Sequence, residues 1–453
     1  MKIKPLFTKN DDISIESYLK AYGISNMRTY INPPTSVLDD CYIYDNIREA
    51  VNEIKYCLLN GLSFGIIQDP DTDGLCSAYM TYEFIKLQNK KCKVKVFLQN
   101  GKERGLDNAD LRQQIIDYKP ACLIIPDAGT NSRDYEDMII DNNIFMIVAD
   151  HHKAEEDKVC RRATVINNTM NIVECNRELS GTGVMFKLLQ AVDKDMGTKY
   201  SNNFIDLVGL SIISDNMDVK TYENRWFVKY ILDYNNIHNP FLIELFDRLP
   251  NEYTQKDISF KIVPLFNSVI RSGTIKEKQQ LFMALNGVNI EETIPMCEDY
   301  HRAQIERVSD FIKHHSEEIK EQEDSNITVI SAMDVPQSFS GLIAGRISGI
   351  TRKPCIVGKP IKKELKGSFR GSIPISIMST MPHVTFAQGH ETGAYGIALD
   401  TSKSQNLTDF RAEIDKMDIS IDREVIASYS ANKLQMGIFN EFVGHEDLWG
   451  KEL

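Results

Sequence analysis

Three aspartates stand at alternate positions just after a short apolar run. The run covers residues 63–67, and the aspartates are Asp69, Asp71 and Asp73. Alternation in an extended segment would place all three carboxylates on one side. A pair of carboxylates about 4 Å apart repels by roughly 4 kcal/mol at an effective dielectric near 20, so such a cluster normally needs a cation. The pattern therefore indicates a divalent metal site, with an acidic turn that caps the next helix as the simpler alternative.

Two more aspartates follow apolar runs farther along the chain. Asp127 comes directly after residues 121–126, and Asp150 precedes the pair His151-His152. Aspartates in these places can also cap helices, and a histidine pair can be ordinary surface. Because adjacent strands lie about 5 Å apart, carboxylates at their ends converge on one edge of a sheet. A mixed set of oxygen and nitrogen ligands suits Mn²⁺ or a similar ion better than Ca²⁺.

The surrounding pattern predicts a parallel sheet at whose edge these residues would meet. Apolar runs at 63–68, 93–98, 121–126 and 144–149 alternate with helix-length segments at 75–90, 107–118 and 132–142. This alternation is typical of βαβ units and of the α/β fold class. Ligands of open parallel sheets bind beyond the carboxyl ends of the strands, where the aspartates stand.

A glycine-bearing segment and an apolar helix follow the predicted sheet. In the segment 179–187, Ser180 or Thr182 would make a suitable helix N-cap. The predicted helix 205–213 leads to Asp215 at its C-terminal end. A negative charge there is unfavourable for the helix dipole, which suggests another use and makes Asp215 a candidate metal ligand.

Composition limits the classes of protein to which the chain can belong. With 453 residues, 42% hydrophobic and 26% charged, we expect two or three ordinary globular domains. No apolar run is long enough to span a bilayer, and the start lacks a signal-peptide core. Nine scattered cysteines without a CxxC pair favour a reducing, cytoplasmic location. The net charge of −12 argues against indiscriminate nucleic-acid coating but leaves room for a local basic groove.

One segment of this acidic chain is locally basic. After a charged connecting helix at 291–324, a strand at 327–331 and a helix at 341–347, the segment 352–366 carries Lys362, Lys363 and Lys366. Lysine-rich loops are usually solvated surface. If the predicted metal site acts on a polyanion, the same loop would form an electrostatic track for the backbone of that polyanion.

Four motifs, in order along the chain, resemble those of the DHH phosphoesterase superfamily. They are Asp69-x-Asp71-x-Asp73-Gly74, Asp127, Asp150-His151-His152 and Asp215. The segments 179–187 and 258–271 are similar to the RecJ branch of single-strand-specific exonucleases. Gly367-Ser368-Phe369-Arg370 and Gln388-Gly389-His390 resemble the GSxR and GGH motifs of the DHH-associated C-terminal domain, although Gln388 departs from the glycine of the second motif.

The resemblance implies two-metal hydrolysis of phosphodiesters and a role for each residue. Two divalent ions are expected, manganese first and magnesium as the alternative. Asp69 and Asp71 would hold one ion. Asp73, His151 and Asp215 would hold the other. Asp127 would bridge the two, Asp150 would orient a histidine, and His152 would face the scissile phosphate as a charge partner or proton donor.

The resemblance also implies a set of substrate-binding residues. Ser368, Arg370 and the backbone near Gly389 would hold phosphates, and His390 would contact a phosphate or a terminal group. Phe369 would stack on a base or lie in the core. The remaining candidates are Asn267, Arg271, Lys362, Lys363 and Lys366.

The expected organisation is an α/β protein with a parallel-sheet DHH domain, a helical connector and a smaller α/β DHH-associated domain. The expected boundaries are 1–240 for the DHH domain, 241–325 for the helical region, 326–403 for the DHH-associated domain and 404–453 for a C-terminal extension. The extension is too short for the further oligonucleotide-binding barrel of long RecJ proteins.

The implied activity is 5′-to-3′ exonuclease cleavage of single-stranded DNA in repair, recombination or replication. A single-strand-binding or other replication or repair protein is a possible partner, and no membrane partner is expected. The alternatives are a phosphodiesterase for short oligonucleotides (a nano-RNase) or cyclic dinucleotides, and a non-catalytic replication or repair scaffold.

Overall fold

The computed structural model describes residues 14–99, 106–335, 338–389 and 393–417, together with the backbone of Lys4–Pro5 and Glu424–Val425. The chain divides into two compact units. One is built mainly from residues 12–301 and the other mainly from residues 302–429. The predicted division into a DHH domain, a helical region, a DHH-associated domain and a C-terminal extension remains a prediction, because two compact units do not test it.

The first unit is organised around a five-stranded, fully parallel sheet. Its strand order is β3-β2-β4-β5-β6. The strands are β2 (Phe64–Ile67), β3 (Val94–Phe97), β4 (Cys122–Pro126), β5 (Phe145–Asp150) and β6 (Thr164–Asn167). The predicted α/β class and parallel sheet are confirmed. The fifth strand, β6, was not predicted, because the segment 151–163 that precedes it has no helical pattern and forms no helix.

Helices cover both faces of this sheet, which explains why its central strands are apolar throughout. Every residue of β2 and of β4 is buried, as expected for parallel strands packed between helical layers. The helices of the first unit are α1 (Ile15–Ala21), α2 (Met27–Ile31), α3 (Ile47–Leu59), α4 (Thr72–Gln88), α5 (Ala109–Tyr118), α6 (Arg133–Ile140), α7 (Gly181–Met196), α8 (Ile205–Ser214), α9 (Tyr222–Ile231), α10 (Pro240–Phe246), α11 (Gln255–Asp257), α12 (Val263–Ser272) and α13 (Ile275–Leu285).

The start of α4 corrects one expectation about the three alternating aspartates. Asp71 is extended and serves as the N-cap, accepting a 2.9 Å hydrogen bond from the Gly74 backbone N–H. The helix therefore begins at Thr72, and Asp73 lies inside its first turn. The three carboxylates are not presented by one extended segment, so any convergence must come from the turn into the helix.

The second unit contains a mixed five-stranded sheet with the order β10-β11-β9-β8-β7. Only the pairing of β7 with β8 is parallel. The strands are β7 (Thr328–Ser331), β8 (Cys355–Ile361), β9 (Glu364–Arg370), β10 (Val384–Gly389) and β11 (Ala394–Asp400). The expected second, smaller α/β region is thereby confirmed. A two-residue parallel pairing joins β1 (Lys4–Pro5) to β12 (Glu424–Val425).

The remaining helices include the predicted charged connector. The unit boundary falls within α14, near residue 302. These helices are α14 (Ile290–His314), α15 (Ser316–Lys320), α16 (Ser340–Thr351), α17 (Ile375–Met378) and α18 (Gln405–Asp415). The predicted connector at 291–324 is thus two helices, separated at His315.

The basic segment is a β-hairpin and not the loop that its lysines suggested. Strands β8 and β9 pair in antiparallel register, and Lys362 and Lys363 form the exposed tip between them. Lys366 lies within β9 and pairs with Glu364 at 3.1 Å. Of the three lysines predicted to bind the strand, Lys366 is therefore paired with a carboxylate, whereas Lys362 and Lys363 are exposed at the tip.

Two further sequence expectations can be compared with the structure. All nine cysteines are free thiols, and eight of them are buried. Among the described residues, no helix combines the length and the apolar character needed to cross a membrane.

Candidate metal centre

The carboxyl edge of the parallel sheet gathers the predicted acidic residues. Asp69 follows β2, Asp127 follows β4, and Asp150 is the last residue of β5. Asp127 and Asp150 are each about 1% exposed. The backbone N–H of Asp127 donates a 2.8 Å bond to the Ala149 carbonyl, which anchors its position at the end of β5.

Asp69, Asp71 and Asp127 form one cluster at this edge. Each offers a carboxylate oxygen within 4.8 Å of the others. Asp127 has a φ of 62°, a left-handed conformation that is uncommon for residues other than glycine and asparagine. This backbone conformation is held at the position where the carboxylate meets its two neighbours.

His151 lies among carboxylates from three separate elements. Its Nε2 is 3.2 Å from Asp127 Oδ1, 3.5 Å from Asp215 Oδ2 and 4.0 Å from Asp73 Oδ2. Asp73 comes from the first turn of α4, and Asp215 is the C-cap of α8, as predicted. Two groups of potential ligands therefore share the same region, one around Asp69 and Asp71 and one around His151.

The N-terminus of α7 holds Asp73. Its carboxylate accepts 2.8 Å hydrogen bonds from the backbone N–H groups of Gly181 and Thr182. Ser180 is the N-cap of this helix, which decides between the two predicted caps. A Cβ added at Gly181 would lie 2.3 Å from Asp127 Oδ1, so only glycine allows the helix to approach this closely. The glycine-bearing segment thus packs directly against two of the acidic residues.

Asp150 positions the histidine pair instead of joining the carboxylate clusters. Its Oδ1 lies 2.8 Å from His152 Nδ1 and accepts hydrogen bonds from the backbone N–H groups of His151 and His152. Its Oδ2 accepts a 3.0 Å bond from the Thr130 N–H. Burial by itself would raise the pKa of Asp150, but the charge and hydrogen bond of His152 outweigh it and hold that pKa well below its usual range.

The ionised forms of Asp73 and Asp127 are electrostatically unfavourable without a cation. Burial raises the pKa of Asp73 to about 6, even though α7 donates to it. Burial also raises the pKa of Asp127 well above its usual value, and the charges of Asp73, Asp71, Asp69 and Asp215 add to the effect. Each of these groups would ionise more readily beside a positive charge.

The donor set fits divalent cations. Asp127 Oδ1 is shielded from solvent and makes no hydrogen bond within the described chain, and His151 Nε2 is directed at three carboxylates. Carboxylate oxygens with one or two imidazole nitrogens are ligands for Mn²⁺ and related ions. The residues that could hold such ions are Asp69, Asp71, Asp73, Asp127, His151 and Asp215.

Asn267 and Arg271 lie near this cluster on one helix, α12. Asn267 Oδ1 accepts a 3.1 Å hydrogen bond from Thr72 Oγ1 at the start of α4. Arg271 is one turn farther along the same helix, and the Asp71 charge acts on its guanidinium. The structure therefore brings both predicted substrate-binding residues of the first unit to the side of the acidic cluster.

In the second unit, Ser368 and Arg370 meet the start of α16. Ser368 Oγ lies 2.9 Å from Ser340 Oγ. A Cβ added at Gly341 would lie 2.6 Å from an Nη atom of Arg370, so the guanidinium lies against the first turn of α16. A serine pair, an arginine and the backbone N–H groups at a helix start are groups that bind phosphate.

Three other predicted residues of the second unit have different outcomes. Phe369 is completely buried and stacks on Tyr395 with ring centroids 4.4 Å apart. Of its two predicted roles, stacking on a base is therefore wrong, and Phe369 is part of the core. Gly389 is exposed at the end of β10. His390 lies outside the described residues.

Sequence reasoning missed the residues that support the site without touching its centre. Asn167 Nδ2 donates to the His152 carbonyl and to Thr130 Oγ1, both at 2.9 Å. Thr130, whose N–H donates to Asp150, is a further example. These supporting residues belong to no recognisable sequence pattern, because their partners are distant in the chain. Only the serine and glycine at the start of α7 indicated a structural role in the sequence.

Comparison with known proteins agrees with this geometry. Residues 63–212 match the DHH family, N-terminal domain. The chain is 27% identical, over 484 aligned residues, to the putative SPbeta prophage-derived single-strand DNA-specific exonuclease YorK of Bacillus subtilis (strain 168). That alignment covers 96% of this chain and 80% of YorK. Residues 63–212 are a DHH domain.

Two RecJ proteins are similar to this chain beyond its DHH domain. The single-stranded-DNA-specific exonuclease RecJ of Bacillus subtilis (strain 168) is 21% identical over 398 residues, which cover 86% of this chain but 50% of that RecJ. A crystal structure of exonuclease RecJ bound to manganese superposes with a TM-score of 0.68 at 17% identity, over 85% of this chain and 97% of that one.

The fold likeness includes RecJ from Thermus thermophilus. Its structure in complex with Mn²⁺ gives a TM-score of 0.77 at 17% identity, over 97% of this chain and 64% of that chain. Its structure in complex with Mg²⁺ gives 0.70 at 16% identity. At these identities the structural matches establish a shared fold.

Proposed function

We propose that this protein is a metal-dependent phosphodiesterase that cleaves single-stranded DNA as an exonuclease. The observation that carries the proposal is the position of His151 Nε2, which has carboxylate oxygens of Asp127, Asp215 and Asp73 within 4.0 Å. Three carboxylates outweigh the single positive charge that a protonated His151 could supply, so divalent cations would make this buried arrangement more favourable. Similarity to YorK and RecJ, which are named single-stranded-DNA-specific exonucleases, supports the choice of substrate.

Two sets of side chains would hold the cations. Asp69 and Asp71 would bind one, Asp73, His151 and Asp215 would bind the other, and Asp127 would be shared. Bound divalent ions supply positive charge that stabilises the charge developing on the phosphate and acidifies the attacking water. The RecJ structures with Mn²⁺ and Mg²⁺ support a divalent ion in general, with manganese as our first choice.

His152 would act on the phosphate or on the leaving group. Its side chain is 35% exposed, whereas that of its neighbour His151 is 7% exposed. Its Nδ1 is held by Asp150, which fixes the orientation of the ring beside the acidic cluster. A carboxylate partner favours the protonated imidazole, which can stabilise a phosphate charge or donate a proton.

Groups in both units would bind the strand. In the first unit, Asn267 and Arg271 lie beside the acidic cluster and would contact the phosphate next to the cleaved bond. In the second unit, Ser368 and Arg370 with the start of α16, the backbone near Gly389, and the tip lysines Lys362 and Lys363 offer phosphate ligands. Lys366, paired with Glu364, would contribute less. His390 is retained as a candidate from its motif alone.

The experiment that tests this function compares three substrates. With Mn²⁺, we expect stepwise release of mononucleotides from the 5′ end of a long end-labelled DNA strand, and slower cleavage of a dinucleotide and of a cyclic dinucleotide. A strong preference for either small substrate would favour the nano-RNase or cyclic-dinucleotide alternative. Strand binding without cleavage by folded, Mn²⁺-loaded protein would favour a non-catalytic scaffold in replication or repair.

Salt dependence of the same assay tests the basic hairpin. The cleavage rate of the long strand at subsaturating concentration should fall with salt, and Lys362→Ala/Lys363→Ala should flatten that slope by about 0.7 for each lost phosphate contact. Cleavage of the dinucleotide should change little. Lys90→Ala/Lys91→Ala, which removes two exposed lysines of the first unit, is the matched control. An unchanged slope in the hairpin variant would remove the hairpin from the substrate path.

A further inference from the structure

A second group of metal-ligating side chains lies in the unit formed by residues 302–429, outside the DHH motifs. Helix α14 ends at His314, His315 is the N-cap of α15, and Asp334 follows β7. One ligand atom of each of these three residues lies within 4.8 Å of the other two. The set combines two imidazoles and one carboxylate, so it differs from an ordinary cluster of acidic surface residues.

The orientation of His315 is that of a metal-ligating imidazole. Its Nδ1 lies 2.9 Å from Glu318 Oε2, and since an ionised carboxylate only accepts, Nδ1 carries the proton. Its Nε2 is then free to ligate; it is shielded from solvent and makes no hydrogen bond within the described chain. Asp334 Oδ1 lies 3.5 Å from that nitrogen. A carboxylate that holds one ring nitrogen while the other faces an acidic ligand is the usual support of a bound metal.

Packing fixes the imidazole in this orientation. The ring of His315 lies against Phe311, with centroids 4.2 Å apart, and its side chain is only 14% exposed. Phe311 belongs to the buried cluster that includes Ile330 and Val335, which flank the loop carrying Asp334. The histidine and the aspartate are therefore positioned by the same small core.

We propose that His314, His315 and Asp334 bind one divalent transition ion of the Zn²⁺ class, with Glu318 orienting His315. Two imidazole nitrogens with one carboxylate oxygen suit zinc better than Mg²⁺ or Ca²⁺. Three protein ligands leave a fourth position for water or an external ligand. The ion would tie the end of α14 to the segment after β7, and this role does not depend on the proposed nuclease activity.

The test counts zinc ions bound by the full chain. Purified, metal-free protein is titrated with Zn²⁺ in competition with a chromophoric chelator, and the same is done for Asp334→Asn and His315→Gln. We expect the parent to bind one more zinc equivalent than either variant, or to bind that equivalent at least about tenfold more tightly. The acidic cluster of the first unit is intact in all three proteins, so its zinc content cancels in the comparison.

Two features of the design keep the result decisive. Asp334 is 59% exposed at its side chain, so Asp334→Asn should fold normally, which near-UV circular dichroism checks. His383→Asn is the matched control, because His383 is another histidine near an aspartate in the same unit, 3.9 Å from Asp409, and asparagine tolerates its left-handed backbone. Equal zinc content in the parent and in both test variants would overturn the proposal. It would mean that His315 and Asp334 form an ion pair and bind no zinc.

Discussion

Asp127→Asn should abolish Mn²⁺-dependent cleavage of single-stranded DNA, lowering the rate by about a thousandfold or more. Its carboxylate is placed to serve both groups of ligands, and losing several kcal/mol of charge stabilisation corresponds to such a factor at about 1.36 kcal/mol per tenfold. Asparagine is the right substitution because it tolerates the left-handed backbone, with a φ of 62°, better than alanine does. Asp117→Asn, which changes an exposed aspartate of the same unit, should leave the rate unchanged.

In the absence of metal, Asp127→Asn should be more stable than the parent protein. This comparison distinguishes the loss of a metal ligand from misfolding. The pKa of Asp127 is raised in the folded protein, so above about pH 4 the native state holds its proton more tightly than the unfolded chain does. Stability of the metal-free protein therefore falls as pH rises from about 4, and Asp73, with a pKa of about 6, adds to this fall. In chelator at about pH 7, we expect Asp127→Asn to be more stable by on the order of 1 kcal/mol or more.

Two outcomes would contradict this prediction. One is cleavage at the parental rate by a preparation of Asp127→Asn shown to be free of other nucleases. The other is a loss of stability in chelator, measured by chemical denaturation at neutral pH, because that result would mean that the Asp127 charge is favourable without a cation.

Gly181→Ala should weaken Mn²⁺ binding about 10- to 100-fold and lower cleavage at limiting Mn²⁺ by a similar factor. The added Cβ would stand 2.3 Å from Asp127 Oδ1 and 2.6 Å from Asp127 Cα, so either α7 or the carboxylate must move. The hydrogen bonds from the start of α7 to Asp73 would be displaced with it. Mn²⁺ titration followed by electron paramagnetic resonance measures the affinity directly.

Gly183→Ala is the matched control for this prediction. It lies two residues farther along the same helix, and the three atoms nearest to its added Cβ all belong to Leu179, with Cδ2 at 3.0 Å and Cβ at 3.2 Å. Alanine favours helix by roughly 1 kcal/mol over glycine, so this variant should be as stable as the parent or more so, with parental Mn²⁺ affinity. Equal effects of the two substitutions would indicate a general sensitivity of α7 and not a specific contact with Asp127.

The edge of the parallel sheet could be predicted from sequence because both of its signals are local. Apolar runs that alternate with helix-length segments predict strands, and an aspartate directly after a run predicts where its carboxylate stands. The same local logic placed Asp215 at the end of α8. The same reasoning did not predict β6. Its four residues, Thr164–Asn167, end on a polar residue and follow β5 without an intervening helix.

What could not be predicted depends on contacts between distant parts of the chain. Nothing near Asp73 in the sequence shows that Gly181 and Thr182 will donate to it. The motif containing Phe369 gives no sign that this ring faces inward, because burial is decided by its pairing with Tyr395. Similarly, the sequence of the charged helix that ends at His314 indicates only a solvated surface. It gives no sign that Asp334 lies beside His314 and His315.

The central claim is that strand-end carboxylates and His151 gather to bind divalent cations. Anomalous diffraction from crystals soaked in Mn²⁺, recorded at the manganese edge, tests it most directly. We predict two peaks, one between Asp69, Asp71 and Asp127 and the other between Asp73, Asp127, His151 and Asp215. Fully ordered side chains with no anomalous peak between them at millimolar Mn²⁺ would contradict this claim.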